Sequence, residues 1–346
     1  MKKIRLLIID DSALIRALLT EIFNSSPNIE VVGTAADPYI AREKIKQLAP
    51  DVLTLDIEMP RMDGLTFLRN LMRLRPMPVV MISTLTEQGA EVTLEALKLG
   101  AVDFVAKPKL DLTRTLKEYT EEMIGKVIMA AGARIHDNAP NCMPVKPELI
   151  DRNRKSTRQK TLIALGASTG GTEAIKRIAG LLPANTPPIV VSQHLPAAFS
   201  ASFARHVDEI SAMTVTLAQT GLKIEPGHIY IAPGDRHLKI TRDHKAYFCQ
   251  LDDSEPVNRH KPSVDVMFYS VAQQAGDQAI GVMLTGMGVD GAVGMKAMHE
   301  AGAFNIVQDE ASSVVWGMPG EAYKIGAADV VLPLDQVADQ IMALIQ

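Results

Sequence analysis

Short apolar runs of four to six residues recur along this chain, alternating with amphipathic segments, and one long irregular stretch divides the series in two. Runs of this length are strand-sized, and segments whose apolar residues recur at helical spacing are helix-sized. Strand and helix alternating in this way predict parallel sheets covered by helices on both faces. In the first half the strands are expected at Ile4–Ile9, Ile29–Gly33, Val52–Leu55, Val79–Ile82 and Val102–Ala106. The helices between them are expected at Ser12–Asn24, Ala41–Leu48, Leu65–Leu74 and Ala90–Leu99, and a further helical stretch ends near Ala133. The irregular stretch follows, "HDNAPNCMPVKPELIDRNRKSTRQK", with three prolines and a basic tail from Arg152 to Lys160. Its composition is that of an exposed linker, and no function is assigned to the basic tail.

The pattern resumes near Thr161. Strands are expected at Leu162–Leu165, Ile189–Ser192, Ile280–Leu284, Phe304–Val307 and Val330–Leu332, and helices at Thr172–Leu181, Ala292–Glu300 and Gln336–Ile345. Between about Met213 and Gln250, shorter stretches such as "GHIYIAPGDRHLKI" suggest hairpins. A length of 346 residues suits about two such domains. The expected fold class is α/β throughout. A doubly wound, five-stranded parallel domain comes first, then a linker, then a second α/β domain with a mainly parallel sheet and a short antiparallel part. The boundaries are set at 1–124, 125–158 and 159–346.

Composition removes several function classes. A formal net charge of −4 speaks against a general nucleic-acid binder, which carries a basic surface. Cys142 and Cys249 are too few and too far apart for a disulfide framework or a zinc site, and read as free thiols in a reducing compartment. The start, "MKKIRLLIIDDS", resembles a signal peptide only briefly. Its apolar run is short, Asp10 and Asp11 break it, and no cleavage site follows. No later stretch is apolar for the roughly 20 residues that a membrane span needs. A cytoplasmic protein is expected, with no direct membrane insertion.

Chemistry gathers where open parallel sheets place it, at the carboxyl ends of the strands. In the first half those ends carry Asp10 and Asp11, Asp56, Ser83, and Lys107 before Pro108. Three carboxylates at one edge repel each other unless a cation joins them, and Mg²⁺ favours such oxygen ligands. A lysine and a hydroxyl beside them could hold a phosphoryl group through charge-assisted hydrogen bonds. Any one Asp could instead cap the following helix, but capping alone accounts poorly for all five positions. The stretches "LLIIDDS", "DVLTLDIEMPRMDGL", "PVVMIST" and "VDFVAKP" resemble the receiver domain of two-component response regulators, whose fold is flavodoxin-like. The resemblance implies that Asp56 is phosphorylated and that Asp10, Asp11, Asp56 and the Glu58 backbone carbonyl bind Mg²⁺. It further implies that Ser83 and Lys107 contact the phosphoryl oxygens and that Phe104 is a switching aromatic.

In the second half, "LIALGASTGGTEAI" runs from a strand through a turn into a helix. "GASTG" fits the G-x-S-x-G nucleophile elbow in the required context. A phosphate-cradling turn or an ordinary turn serine would produce the same string. A nucleophilic serine needs a base, and the base needs an orienting carboxylate. His194 follows the strand "IVVSQ", and Asp290 lies in "LTGMGVDGA" after another strand, so Ser168, His194 and Asp290 are expected at one sheet edge. Of the other histidines, His136 lies in the linker and His206 and His299 in helical stretches, while His237 and His260 remain possible neighbours of the site. The order Ser, His, Asp differs from the Ser, Asp, His order of α/β-hydrolases, which would need a late base such as His299.

The stretches "GASTGGTEAI", "SQHLP", "GHIYIAPGDRHLKI", "NRHKPSVDVMF", "LTGMGVDGA" and "QDEASSVVWGMPGEA" resemble the catalytic domain of chemotaxis protein-glutamate methylesterases, the CheB family. With the receiver in front, the resemblance covers nearly the whole chain. It implies a Ser168–His194–Asp290 triad, an oxyanion donor in the Met287 N–H, and a site shaped by Thr169. It also implies demethylation of glutamyl γ-methyl esters and deamidation of glutamines on methyl-accepting chemoreceptors. The histidine kinase CheA would be the phosphodonor, no cofactor would be needed in the catalytic domain, and the unphosphorylated receiver would cover the Ser168 site. The competing readings are a receiver-controlled DNA-binding regulator, which predicts a compact basic helical C-terminal domain, and a receptor-binding adaptor without catalysis. The oligomeric state is not legible.

Overall fold

The computed structural model describes residues 2–84, 86–107, 116–133, 148–149, 161–244 and 246–345. The chain divides into two compact units, residues 1–139 and 140–346. In the first, β1 (Ile4–Ile9), β2 (Ile29–Ala35), β3 (Val52–Asp56), β4 (Val79–Ser83) and β5 (Asp103–Ala106) form one parallel sheet in the order β2-β1-β3-β4-β5. Every residue of β3 and β4 is buried, which is why these strands read as unbroken apolar runs rather than alternating ones. The helices are α1 (Ala13–Asn24), α2 (Pro38–Leu48), α3 (Gly64–Leu74), α4 (Glu87–Lys98) and α5 (Leu116–Ala131). Helices α2 and α4 begin well before the start that periodicity predicts because a cap fixes it. Asp37 accepts from the N–H groups of Tyr39 and Ile40 ahead of α2, and Thr86 accepts from Gly89 N–H ahead of α4.

Of the expected linker, α5 occupies the part up to Ala131, and Glu148–Leu149 forms the short strand β6. Most of the remainder lies outside the described residues, including Cys142, His136 and the basic tail. In the second unit, β7 (Leu162–Ala167), β8 (Ile189–Gln193), β9 (Thr214–Leu217), β11 (His228–Ile231), β14 (Ala279–Met283), β15 (Phe304–Gln308) and β16 (Val330–Leu332) build a parallel sheet. With β6 antiparallel at its edge, the order is β6-β16-β15-β14-β7-β8-β11-β9. A second sheet of β10 (Lys223–Ile224), β12 (His237–Asp243) and β13 (Ala246–Asp252) is antiparallel. The hairpin expected within "GHIYIAPGDRHLKI" is therefore corrected. Its first strand, β11, pairs in parallel with β8 and β9, and only its second, β12, turns back on a neighbour.

Helices α6 (Gly171–Leu181), α7 (Ala197–Asp208), α8 (Val264–Ala275), α9 (Ala292–Glu300), α10 (Met318–Lys324) and α11 (Leu334–Ile345) cover the sheets. Helix α8 was missed as an element because it is buried on several sides. Val264, Met267, Phe268 and Val271 are fully buried against the core, so no clean polar face marks it. The order in which strands are added to the main sheet reverses at β7, whose parallel neighbours are β8 on one side and β14 on the other. The carboxyl ends of these three strands form the topological switch point, where open α/β sheets place a crevice. Among the described residues no helix is long and apolar enough to cross a membrane.

Candidate active site and acidic edge

Ser168 is the first residue after β7, His194 the first after β8, and Asp290 lies in the loop that leaves β14. The three expected residues thus come from adjacent strands. The turn at Ser168 is tied down on several sides: its N–H donates to the Thr285 carbonyl at 3.0 Å, and its own carbonyl accepts from Gly171 N–H at 2.8 Å. Gln193, the last residue of β8, adds its Nε2 to the same carbonyl at 2.9 Å and approaches the His194 carbonyl at 3.3 Å. One side chain therefore spans both functional turns. The loop after β14 closes in from the other side. A Cβ on Gly286 would stand 2.8 Å from that of Ser168, so only glycine permits this approach.

His194 Nε2 lies 2.8 Å from Asp290 Oδ2. Asp290 is 1% exposed. Burial alone would raise its pKa, but the bonds from His194, Asn258 and Ser263 outweigh it and hold the carboxyl below the usual carboxylate range. An ionised carboxylate only accepts, so Nε2 carries the proton of the neutral ring and Nδ1 keeps its lone pair. That Nδ1 is buried and has no hydrogen-bond partner among the described residues. A buried acceptor left unpaired costs on the order of 1–3 kcal/mol, and such orphans belong where a reaction supplies the partner. The Ser168 hydroxyl is therefore not bonded to His194 in this structure, as in many sites that tighten only around substrate.

The loop 286–291 also holds the oxyanion candidate. Gly286 N–H is taken by the Val315 carbonyl at 3.0 Å, and Met287, the expected donor, is the next residue. Met287 and Val289 are exposed. Thr169 is buried beside Ser168, and its carbonyl accepts from the Thr285 hydroxyl at 3.0 Å. Thr285 in turn donates its N–H to Gln308 Oε1 at 2.8 Å, and Gln308 Nε2 reaches the Ser312 carbonyl at 2.9 Å. Sequence reading missed Gln193, Asn258, Ser263, Thr285 and Gln308, all of which act on backbone or on another side chain. The motif "NRHKPSVDVMF" carried two of them without saying what they touch.

The remaining histidines separate cleanly. His260 stacks on His194 with ring centroids 3.7 Å apart and planes 10° from parallel. His237 is a buried structural residue: its Nδ1 accepts from Ser263 N–H at 3.0 Å and its Nε2 faces the Glu255 carbonyl at 3.1 Å. His299 on α9 faces Asp329 at 3.4 Å, a pairing that leaves the Ser, Asp, His chain order without support.

In the first unit, carboxylate oxygens of Asp10, Asp11 and Asp56 all lie within 4.8 Å of one another, and Lys107 Nζ is 2.7 Å from Asp56 Oδ1. Asp10 Oδ2 and Asp56 Oδ2 are buried without a partner among the described residues. Burial and then the Asp56 charge push Asp10 up to about 6, and burial raises Asp56 despite the opposing bond from Lys107. Two orphaned oxygens in a hard-oxygen cluster fit a divalent cation such as Mg²⁺. Glu58 is exposed, and its N–H points at Asp56 Oδ1 at 3.4 Å. Ser83 ends β4, but its hydroxyl is engaged away from the acids, accepting from Thr93 Oγ1 at 2.6 Å. Phe104 is buried in β5, with Lys126 Nζ 4.9 Å above its ring and 2.6 Å from its carbonyl.

Fold and strand-end chemistry define a class: a two-unit α/β protein with a receiver-type acidic edge in one unit and a hydrolase-type Ser/His/Asp edge in the other. A family model for CheB methylesterase matches residues 163–341, and one for the response regulator receiver domain matches residues 6–119. A Hydrogenovibrio crunogenus protein named protein-glutamate methylesterase/protein-glutamine glutaminase is 54% identical over 375 residues, covering 100% of both chains. A Saccharophagus degradans protein named protein-glutamate methylesterase/protein-glutamine glutaminase 2 is 58% identical over 344 residues, covering 99% of each. The crystal structure of the Thermotoga maritima CheB methylesterase catalytic domain matches with a TM-score of 0.53 and 37% identity, covering 54% of this chain and 100% of that one. The chain belongs to the CheB methylesterase family and carries a receiver domain ahead of the methylesterase domain. A second unit of this fold is not the compact helical domain that a DNA-binding regulator requires.

Proposed function

We propose that this protein is a phosphorylation-controlled serine hydrolase that removes methyl groups from glutamyl γ-methyl esters of chemoreceptors and deamidates glutamines at such sites. Family membership supplies the reaction. The observation that carries the residue assignment is the buried, unpaired Nδ1 of His194, with its opposite nitrogen tied to an ionised Asp290. In this reading His194 Nδ1 takes the Ser168 proton as Oγ attacks the ester carbonyl carbon. Asp290 stabilises the imidazolium and does not itself accept the proton, because its donors keep its basicity low. The oxyanion meets the Met287 N–H, on a loop that glycine lets approach Ser168. His194 then returns the proton to the leaving methoxide, methanol departs, and the same base activates water to release glutamate. An amide passes through a similar tetrahedral intermediate and leaves ammonia. Thr169 holds the turn beside the nucleophile.

In the receiver, Asp56 is assigned as phosphoacceptor, with Lys107 and Ser83 as phosphoryl contacts and Phe104 as the switching aromatic. Asp10, Asp11, Asp56 and the Glu58 carbonyl would hold Mg²⁺, which when bound neutralises the charge brought in by a phosphoryl group. Lys107 already places one positive charge against Asp56. The domain boundaries 1–124, 125–158 and 159–346, a cytoplasmic location, chemoreceptors as substrate and the histidine kinase CheA as phosphodonor complete the assignment. The test is methanol release from methylated receptor, with and without a phosphodonor. Hydrolysis that requires Ser168 and rises with phosphodonor is expected. Undiminished hydrolysis by a folded Ser168→Ala protein would remove the serine mechanism.

A further inference from the structure

Asp290 is surrounded by donors from a segment that the reaction as written does not use. Its Oδ1 accepts from Asn258 Nδ2 at 2.9 Å and from Ser263 Oγ at 2.7 Å, and its Oδ2 accepts from Val264 N–H at 2.7 Å in addition to His194. Asn258 and Ser263 belong to one short loop, and Val264 opens α8, for which Ser263 is the cap. The same loop carries His260, whose ring lies flat on His194. We infer that residues 257–263 are a positioning strap for the reaction, in which Asn258 and Ser263 hold the Asp290 carboxylate in place and His260 fixes the plane of the His194 ring. The inference rests on the hydrolase reading above and adds residues to it.

The chemistry of Asn258 makes the assignment specific. Its amide donates to Asp265 Oδ2 at 2.8 Å as well as to Asp290 Oδ1, so one NH₂ group bridges two buried carboxylates. An acceptor in its place would set a third oxygen against those two. Asn258 has a φ of 52° and Arg259 one of 68°, both left-handed, and asparagine tolerates that region better than most residues. This backbone turn brings the amide of residue 258 and the ring of residue 260 onto the same pair. A loop needed only for folding has no reason to direct three side chains at the one His–Asp contact.

The strap also tunes the pair. Each donor spreads the Asp290 charge, so less of it faces His194. The titratable groups around the contact are His194 itself, His260 on its face, Asp265 across Asn258, and His237 behind Ser263. Removing the Asn258 or Ser263 donor leaves more charge facing His194 and favours its protonated form. A base that must be neutral is then lost at a higher pH. The acid limb of the rate profile therefore moves upward, which loss of folded protein alone would not produce.

The experiment compares the full-length protein, phosphodonor present, with Asn258→Ala, Ser263→Ala, Asn258→Asp, His260→Ala and His260→Phe. Methanol release from methylated receptor is followed from pH 5 to 9, with Ser168→Ala as reference. Asn258→Ala and Ser263→Ala should each lower kcat on the order of 10- to 100-fold, the value of one hydrogen bond to a charged group. KM should stay within about twofold while the acid limb moves upward. Asn258→Asp should fall further than Asn258→Ala, and His260→Phe, which keeps a flat ring over His194, should retain more activity than His260→Ala. Unchanged kcat and an unmoved acid limb in folded Asn258→Ala and Ser263→Ala would overturn the inference. So would a uniform loss at every pH that tracks the fraction of folded protein by circular dichroism. Wild-type hydrolysis that does not depend on Ser168 would instead overturn the hydrolase reading, so the two failures are distinct.

Discussion

Two buried aspartates sit at strand ends in the two units, and their surroundings are opposite. Asp56 at the end of β3 has one oxygen on Lys107 and the other without a partner among the described residues, with Asp10 and Asp11 crowding the same edge. Asp290 beyond β14 has four close donors on its two oxygens and no orphan. Accordingly Asp56 is raised and Asp290 lowered, although burial acts to raise both. The difference separates two kinds of work for one side chain. Under the proposed roles, the carboxylate that would gain a ligand or form a bond is left short of partners, whereas the one that would only orient a neighbour is saturated. On the His194–Asp290 pair the atom without a partner among the described residues is instead His194 Nδ1.

Removing the base or nucleophile tests the saturated side most severely. Ser168→Ala and His194→Ala should each reduce methanol release by ~10⁴-fold or more, and the double variant should lose no more than either alone, because the two act as a unit. Additive losses would mean that they do not share a step. Asp290→Asn should follow, with a loss of up to ~10⁴-fold by analogy with serine proteases. All the close partners of Asp290 are donors, so an amide there must set NH₂ against one of them. The folded protein should therefore also lose roughly 1–3 kcal/mol at neutral pH. Because the folded-state pKa of Asp290 is depressed, its contribution is present above the unfolded value of about 4 and fades as pH falls through the lower folded value. Urea unfolding of both proteins at pH 7 and pH 3 should show the gap closing in acid.

The unsaturated side gives smaller effects. Asp56→Asn should abolish phosphorylation from a small phosphodonor and with it an activation of ~5–150-fold, the range of coupling energies of 1–3 kcal/mol, while basal hydrolysis remains. A fragment starting at Ser156 should exceed the unphosphorylated full-length rate and ignore phosphodonor, if coverage by the receiver is what phosphorylation relieves. A folded fragment no faster than its parent would instead assign activation to a positive contact made by the phosphorylated receiver. The smallest effect is on stability. In chelator, Asp10→Asn should stabilise the receiver by on the order of 1–3 kcal/mol at pH 7.5, because it removes a buried charge beside Asp56. The folded pKa of Asp10 is raised to about 6, so the wild type loses stability as pH rises from about 4 through 6, and the gain should shrink at pH 5. The same variant should no longer be phosphorylated in Mg²⁺.

The Ser168, His194 and Asp290 positions were legible because each follows a strand whose apolar run announces itself, and topology then brings adjacent strand ends together. The acidic edge was legible for the same reason. What sequence spacing could not show was the direction of each polar group. Ser83 stands where expected, yet its hydroxyl faces Thr93, and only packing of β4 against α4 decides that. The parallel pairing of β11 was hidden in a hairpin-like string, since strand partners are chosen by neighbours distant in sequence. Helix α8, buried on more than one side, lacks the polar stripe that periodicity detects.

By itself the sequence determined the two-unit α/β architecture, the strand ends that carry the chemistry and the residue types placed there. Those follow from local apolar periodicity, which is a property of a few consecutive residues. Only the tertiary structure decided which nitrogen of His194 faces Asp290, which oxygens are left without partners, and that Asn258, His260 and Ser263 converge on one contact. These depend on hydrogen-bond direction across loops far apart in the chain, where a turn of one backbone dihedral reverses a donor's aim. Burial, which sets the opposite charge behaviour of Asp56 and Asp290, is likewise a sum over surroundings that no short stretch of residues contains.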